Sequence, residues 1–203
     1  MKDSKNKFLY PIFFTLIVTA VTIFLLAGIN HLTTDAIAMN EETALRSTIL
    51  YVFNIDYPAG DADKIAEIFN EHIKSKQVGD KTIYYLEEGN EILGYAFPVD
   101  GVALWGSVKA YVAITADYSE ILGIDFVSHS ETPGLGGRIS EDWFKEQFRG
   151  LKLDDSQTGE YIIYRPAPGG NVDSISGATL TSKAIKDLLN NGIYEFITEQ
   201  RGE

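Results

Sequence analysis

The chain has 203 residues, enough for one domain with a real core and an appendage, and its 45% hydrophobic and 23% charged content is ordinary for a folded protein. It has no cysteine, which excludes disulfides, iron–sulfur clusters on its own thiolates and thiol catalysis; His31, His72 and His129 lie too far apart in sequence for a metal-ligand spacing. The net charge of −12 sits on an acidic body, because Lys2, Lys5 and Lys7 outweigh Asp3 at the start, and such a body repels phosphate backbones, so nucleic-acid binding is not expected.

Residues 1–7 form a short basic N-terminus. The run 8–29 is free of charge and long enough to cross a hydrocarbon core of about 30 Å at about 1.5 Å per residue, which predicts a transmembrane helix over 8–30. Tyr10 suits the interface, and Pro11 falls in what would be the first turn, where a missing N–H is tolerated. The run is longer than a signal-peptide core and no small-x-small cleavage site follows it, so an uncleaved anchor is expected. Lysines before the span and an acidic body after it place the N-terminus in the cytoplasm and the body outside it, in a single-pass protein of the cell (inner) membrane.

Residues 31–60 read as a juxtamembrane helix, with Ala36, Ile37, Ala44, Ile49, Leu50 and Phe53 in loosely helical spacing, followed by a turn or linker from Tyr57. Residues 61–203 read as one further domain. A helix is expected over 62–76, with Ile65, Ile68, Phe69 and Ile73 on one face. Strands 81–86 and 91–98 flank the hairpin signal Glu88-Gly89-Asn90, and strands 107–116 and 121–128 follow. Ser140 is the expected cap of a helix that buries Trp143, Phe144 and Phe148; a strand over 160–164 and a closing amphipathic helix over 181–198 complete the chain. The sum is an α+β fold: an antiparallel sheet with flanking helices, preceded by a single N-terminal transmembrane helix.

Two segments stand out. Ser176-Gly177-Ala178-Thr179-Leu180-Thr181 leads from a turn into the closing helix, with Ser182 behind it. Free N–H groups and the helix dipole favour a phosphate there, Gly177 permits close approach, and the hydroxyls can donate to phosphate oxygens or be esterified. Asp173 could shape the turn before it. Capping of the helix by Ser and Thr would use the same residues. The second segment is His129 to Gly137, where Pro133, Gly134, Gly136 and Gly137 make a loop with exposed backbone, suited to wrapping a flat ring or serving as a turn-rich connection.

In this order, and after one span, the two segments resemble the FMN-binding domain of the G subunit of Rnf ion-translocating electron transport complexes and of the related Nqr C subunit. The family's glutamate-threonine-proline-glycine loop corresponds to Glu131, Thr132, Pro133, Gly134, Leu135 and Gly136, and its attachment motif to Ser176 through Thr181. The resemblance implies that Thr181 Oγ carries one covalent FMN per chain as a phosphoester, installed by a separate flavin transferase that uses FAD. It implies that Ser176, Gly177, Ala178 and Thr179, with Leu180 and Ser182, hold the phosphate and ribityl end. The loop Glu131–Gly136 would border the isoalloxazine. The stretch 101–106, with Leu104 and Trp105, is similar to a family segment near the ring, although Trp105 suits a core equally well. His129 would donate to the flavin or cap a strand end.

The resemblance further implies an electron-transfer subunit that couples ferredoxin and NAD redox chemistry to Na+ or H+ translocation, with other membrane subunits of an Rnf-type complex and lipid as partners. The span offers no polar path for an ion, so this chain would not pump alone, and no catalytic residue, metal or independent catalysis is expected of it. An Nqr C-type subunit of a sodium-pumping quinone reductase, a stand-alone anchored flavoprotein and a non-redox binding module are the alternatives; the short chain favours the Rnf type.

Overall fold

The structure, a computed structural model, describes residues 3–89, 91–153 and 159–202, with the backbone alone for residues 3–8. Met1 and Lys2 of the basic N-terminus and Asn90 of the expected hairpin turn lie outside the described residues. The chain divides into two compact units, Met1–Glu42 and Thr43–Glu203.

Helix α1 runs over Asp3–Val52. In the first unit it is apolar and exposed, and it is long and apolar enough to cross a membrane. Its hydroxyls do not oppose that: Thr22 Oγ1 donates to the Val18 carbonyl at 2.8 Å and Thr33 Oγ1 to that of Ile29 at 2.9 Å, and Thr15 returns to Pro11 in the same way. Each of these three hydroxyls is thereby satisfied inside its own helix, as a lipid environment requires. Pro11 lies inside α1 rather than in its first turn, because the helix already starts at Asp3.

In the second unit the last turns of α1 bring Ile49, Leu50 and Val52 into a core. Helix α2 (Ala62–His72) is capped by Asp61, whose carboxylate accepts the Lys64 N–H at 3.1 Å. The helix expected to reach residue 76 stops at His72. Ile73–Val78 is instead strand β1, paired antiparallel with β2 (Lys81–Glu88). After Ile73 no apolar residue recurs at helical spacing, and Lys74, Ser75, Lys76 and Gln77 all face solvent, a polar edge that discourages further strand pairing. β3 (Glu91–Val102), β4 (Ser107–Thr115) and β5 (Ile121–Ser128) extend the meander to a five-stranded antiparallel sheet in the order of the chain.

Both faces of the central strands are covered. Ala96 and Ala113 pair across β3 and β4 and face the core built by α1 and α2. Their neighbours Phe97 and Val112 point the other way, onto the core that includes Phe144, Phe148, Ile185, Leu189 and Phe196. Alternation therefore sorts residues between two cores rather than between core and water.

Helix α4 (Thr179–Arg201) lies on this second face against β3. A Cβ at Gly192 would stand 2.6 Å from a Val99 methyl, and one at Gly101 would collide with Leu188, so two glycines set how closely the helix approaches the sheet. Between β5 and α4 lie a 3-10 turn (Gly136–Ser140), the short helix α3 (Asp142–Lys145) and a second 3-10 turn (Glu146–Phe148). Ser140 does not cap α3: Glu141 occupies the cap position, and Ser140 Oγ bonds the His129 ring instead. Phe144 and Phe148 are fully buried as expected, but Trp143 is 40% exposed, its indole N–H donating to Glu141 and its face covered by Arg138.

The strand expected over 160–164 is absent. Its backbone bonds to two asparagine side chains instead: Asn190 accepts the Ile162 N–H at 2.8 Å and donates to the Ile162 carbonyl at 3.0 Å, and Asn171 accepts the Ile163 N–H at 2.9 Å. The apolar residues still enter the core, so the hydrophobic signal is real while the ladder is reduced to one parallel bridge, Tyr164 to Val172, beside these amides.

Candidate functional site

The site forms where three connections meet at one end of the sheet and α4. The β3–β4 turn supplies Leu104 and Trp105, the segment after β5 supplies Glu131 to Gly136, and the start of α4 supplies Ser176 to Ser182.

α4 begins without a side-chain cap. Ala178 occupies the cap position and makes no side-chain cap bond, so the capping that Ser and Thr were free to provide is not made. Gly177 sits at φ 78°, the left-handed region glycine favours, and turns the chain sharply into the helix. Ser176, Gly177, Thr179 and Leu180 are exposed, Leu180 by 63%. Thr181 and Ser182, each 1% exposed, point inward. The Ser182 hydroxyl accepts the Ile175 N–H at 3.1 Å and so ties the turn shut. Asp173 pairs with Arg165 at 2.9 Å and its backbone N–H donates to Gln147 Oε1 at 2.7 Å, which fixes the preceding loop rather than the Ser176 turn.

Thr181 does something else. Its Oγ1 donates to Glu131 Oε2 at 2.5 Å, across 50 residues of sequence. The other carboxylate oxygen of Glu131 accepts the Trp105 backbone N–H at 2.9 Å. Glu131 is only 5% exposed, so a single buried carboxylate joins all three connections. Its own N–H donates to His129 Nδ1 at 3.3 Å, and His129 Nε2 lies 3.0 Å from Ser140 Oγ. With Nδ1 accepting, the ring hydrogen sits on Nε2 and donates to Ser140. His129 therefore braces the loop that carries Glu131.

Gly136 lies over the pair. A Cβ there would stand 2.6 Å from Glu131 Oε2 and 2.6 Å from Thr181 Oγ1, so only glycine fits above this hydrogen bond. Around the buried pair the loops present apolar side chains to solvent: Leu104, Trp105 at 66% exposure, Leu135 and Leu180. Leu135 reaches across to within 3.5 Å of the Cβ position of Gly177, which joins the loop to the helix turn. Thr132, Pro133 and Gly134 are exposed at the loop tip. Trp105 is thus a surface side chain, not a core one. The link that sequence reasoning missed is Glu131 to Thr181; the signal was a lone carboxylate in a loop otherwise made of small and apolar residues.

The arrangement fits a flavin mononucleotide. It combines an uncapped helix N-terminus for a phosphate, a hydroxyl under a glycine cradle, and exposed apolar and aromatic side chains beside them for a flat ring.

Residues 104–194 match the family model described as FMN-binding domain, a span that includes every residue named for the site. The G subunit of the proton-translocating ferredoxin:NAD(+) oxidoreductase complex of Clostridium ljungdahlii is 27% identical over 203 residues, covering 100% of this chain and 99% of its own. The G subunit of an ion-translocating oxidoreductase complex of Methanosarcina acetivorans is 33% identical over 122 residues, 59% of this chain and 61% of that protein. The C subunit of the Na(+)-translocating NADH-quinone reductase of Vibrio anguillarum is 38% identical over 109 residues, and the chain spans only 43% of that relative's length. Among solved structures, the corresponding C subunit from Parabacteroides distasonis aligns with a TM-score of 0.65 and 27% identity over 79% of this chain and 92% of that one. NqrC of Shewanella oneidensis shares the fold, with a TM-score of 0.62 at 18% identity over 73% of this chain and 90% of its own. Over residues 104–194 the chain is similar to FMN-binding domains, and over its whole length it is similar to the G subunit of an Rnf-type complex.

Proposed function

We propose that this chain is an electron-transfer subunit of a membrane-bound, ion-translocating oxidoreductase complex of the Rnf type, carrying one FMN as a phosphoester on Thr181. The observation that carries the reading is the meeting of Thr181, Glu131 and Gly136 at an uncapped helix start inside the matched FMN-binding segment. The near full-length match with a G subunit supports the Rnf type, since the C subunit of Vibrio anguillarum extends well beyond this chain.

In this reading the first turn of α4, with Ser176 and Thr179, receives the phosphate, while Ala178 keeps bulk away from it. Leu104, Trp105, Leu135 and Leu180 border the ring, and Thr132, Pro133 and Gly134 shape the loop tip beside it. Ser182 and His129 act at one remove, holding the turn and the loop. Bound FMN supplies the capacity to take up and pass on electrons, which the protein side chains lack. A covalent link prevents loss of a cofactor held outside the cytoplasm. A flavin transferase drawing on FAD makes that link, and lysines before the span with an acidic body after it support a flavin domain on the extracytoplasmic side.

The test is peptide mass spectrometry on protein from cells that contain the transferase. The peptide holding Thr181 is expected to carry an increment of FMN minus water, absent in Thr181→Ala. An unmodified peptide under those conditions refutes the covalent assignment.

A further inference from the structure

We infer that Glu131 is the residue that positions the Thr181 hydroxyl and takes its proton when the flavin phosphoester forms; the inference rests on the reading of Thr181 as the acceptor. A threonine hydroxyl is a weak nucleophile until a neighbouring base accepts its proton. In this site the base is already in place. Glu131 Oε2 accepts Thr181 Oγ1–H at 2.5 Å, the short range of a hydroxyl on a carboxylate.

The carboxylate is itself oriented. Its second oxygen is held by the Trp105 N–H at 2.9 Å, and its backbone N–H is held by His129, which is braced by Ser140. A nucleophile, a base and groups orienting that base form the arrangement that activated hydroxyls require. A purely structural threonine in the first turn of a helix would more simply bond its own backbone. Thr181 instead directs its proton to a residue 50 positions away, beneath the Gly136 backbone, which packs too closely over the two oxygens for any side chain.

The step balances. The transferase presents a flavin adenine dinucleotide. Thr181 Oγ forms a bond to the phosphorus on the flavin side, the pyrophosphate P–O bond breaks, and AMP leaves with the electron pair. The Thr181 proton passes to Glu131 Oε2. No electron is gained or lost. Thr181 is 1% exposed beneath Gly136, so loading requires the loop tip to part from α4.

The experiment is single-turnover loading of the full chain in detergent, with transferase and FAD saturating, followed by mass spectrometry for wild type, Glu131→Gln and Glu131→Asp. Thermal unfolding of each variant is measured alongside. Glutamine keeps the size and can keep the Trp105 bond through its carbonyl, but it cannot take a proton. Its loading rate is expected to fall by about 100-fold or more, the range of general-base contributions, with the concentration of chain giving half-maximal rate little changed. Aspartate, which keeps the carboxylate one methylene shorter, is expected to load faster than glutamine. Loading of Glu131→Gln at the wild-type rate overturns the inference and leaves Thr181 as acceptor. If glutamine prevents folding, loading of a folded Glu131→Asp no faster than Thr181→Ala overturns it equally. Wild type that stays unmodified refutes the reading of Thr181, and the inference with it.

Discussion

Replacing Gly136 by alanine tests whether the site is built as described. The new methyl would stand 2.6 Å from both Glu131 Oε2 and Thr181 Oγ1, inside the 3.0 Å that Cβ atoms essentially never breach, and 3.0 Å from Thr181 Cγ2. Neither neighbour is a free chain end, because Glu131 is fixed by Trp105 and Thr181 by the helix. If the contacts persist, overpacking costs about 1–3 kcal/mol. If the pair parts instead, a hydrogen bond to a charged group is lost, about 1.5–3 kcal/mol. Either route gives about 2 kcal/mol, and at about 2–4 °C per kcal/mol for a domain of this size Tm should fall by about 4–8 °C. Gly79→Ala is the control. Gly79, in the turn between β1 and β2, lies at φ 61° with no atom within 4 Å of a new Cβ, so its cost is the left-handed backbone alone, about 1–2 kcal/mol, and the site is untouched. Differential scanning calorimetry on the full chain, with flavin loading on the same samples, reads both effects. Gly136→Ala should lose stability and loading, and Gly79→Ala only stability. A Gly136→Ala protein within about 1 °C of wild type that loads at the wild-type rate would refute the packing of loop on helix.

Other outcomes follow from the same structure. Phe196 stacks on Phe97 with ring centroids 3.9 Å apart at 5° and is buried, so Phe196→Ala should cost about 3–5 kcal/mol in thermal unfolding while leaving Thr181 chemistry intact in whatever fraction folds. Asn190→Ala strips partners from the buried Ile162 N–H and carbonyl together, and a loss of about 2–4 kcal/mol is expected; a neutral result would mean that water replaces the amide. The Arg149 guanidinium, followed by the Tyr51 hydroxyl, holds the Glu146 carboxyl below its ordinary value. A depressed folded value means that this stabilisation is present above the usual glutamate range, about 4.3, and is lost as pH falls through the lower folded value. The Tm difference between wild type and Glu146→Gln should therefore shrink in acid, and a difference constant from neutral pH to below about 3 would contradict it. With a net charge of −12, the loaded protein should have a midpoint potential below that of free FMN, because nearby negative charge disfavours added electrons; a spectroelectrochemical value well above it would count against this.

Local chemistry was enough for the elements whose signals are local. An uncharged run long enough for a bilayer marks the apolar part of α1, period-two alternation marks β4, and the turn at Tyr118-Ser119-Glu120 leads into β5 over Ile121–Ser128. The two site segments were legible as short patterns because glycines and hydroxyl residues are rare in such clusters outside turns and helix starts. What failed did so where partners come from afar. Residues 73–78 carry no periodic signal of their own and become a strand only because β2 lies beside them. Residues 160–164 look like a strand but find the side chains of Asn171 and Asn190 and a single parallel bridge to Val172 rather than a ladder.

The same division applies to the site. Residue type at a helix start was enough to mark which side chains could meet a flavin phosphate. It took the packed molecule to turn Thr181 inward onto Glu131, to turn Ser182 inward where it ties the turn, and to leave Trp105 on the surface. These are questions of how α4 is rotated and how closely it approaches β3. They are set by packing at Gly101 and Gly192 and by a single hydrogen bond spanning 50 residues, information that no local window of sequence contains.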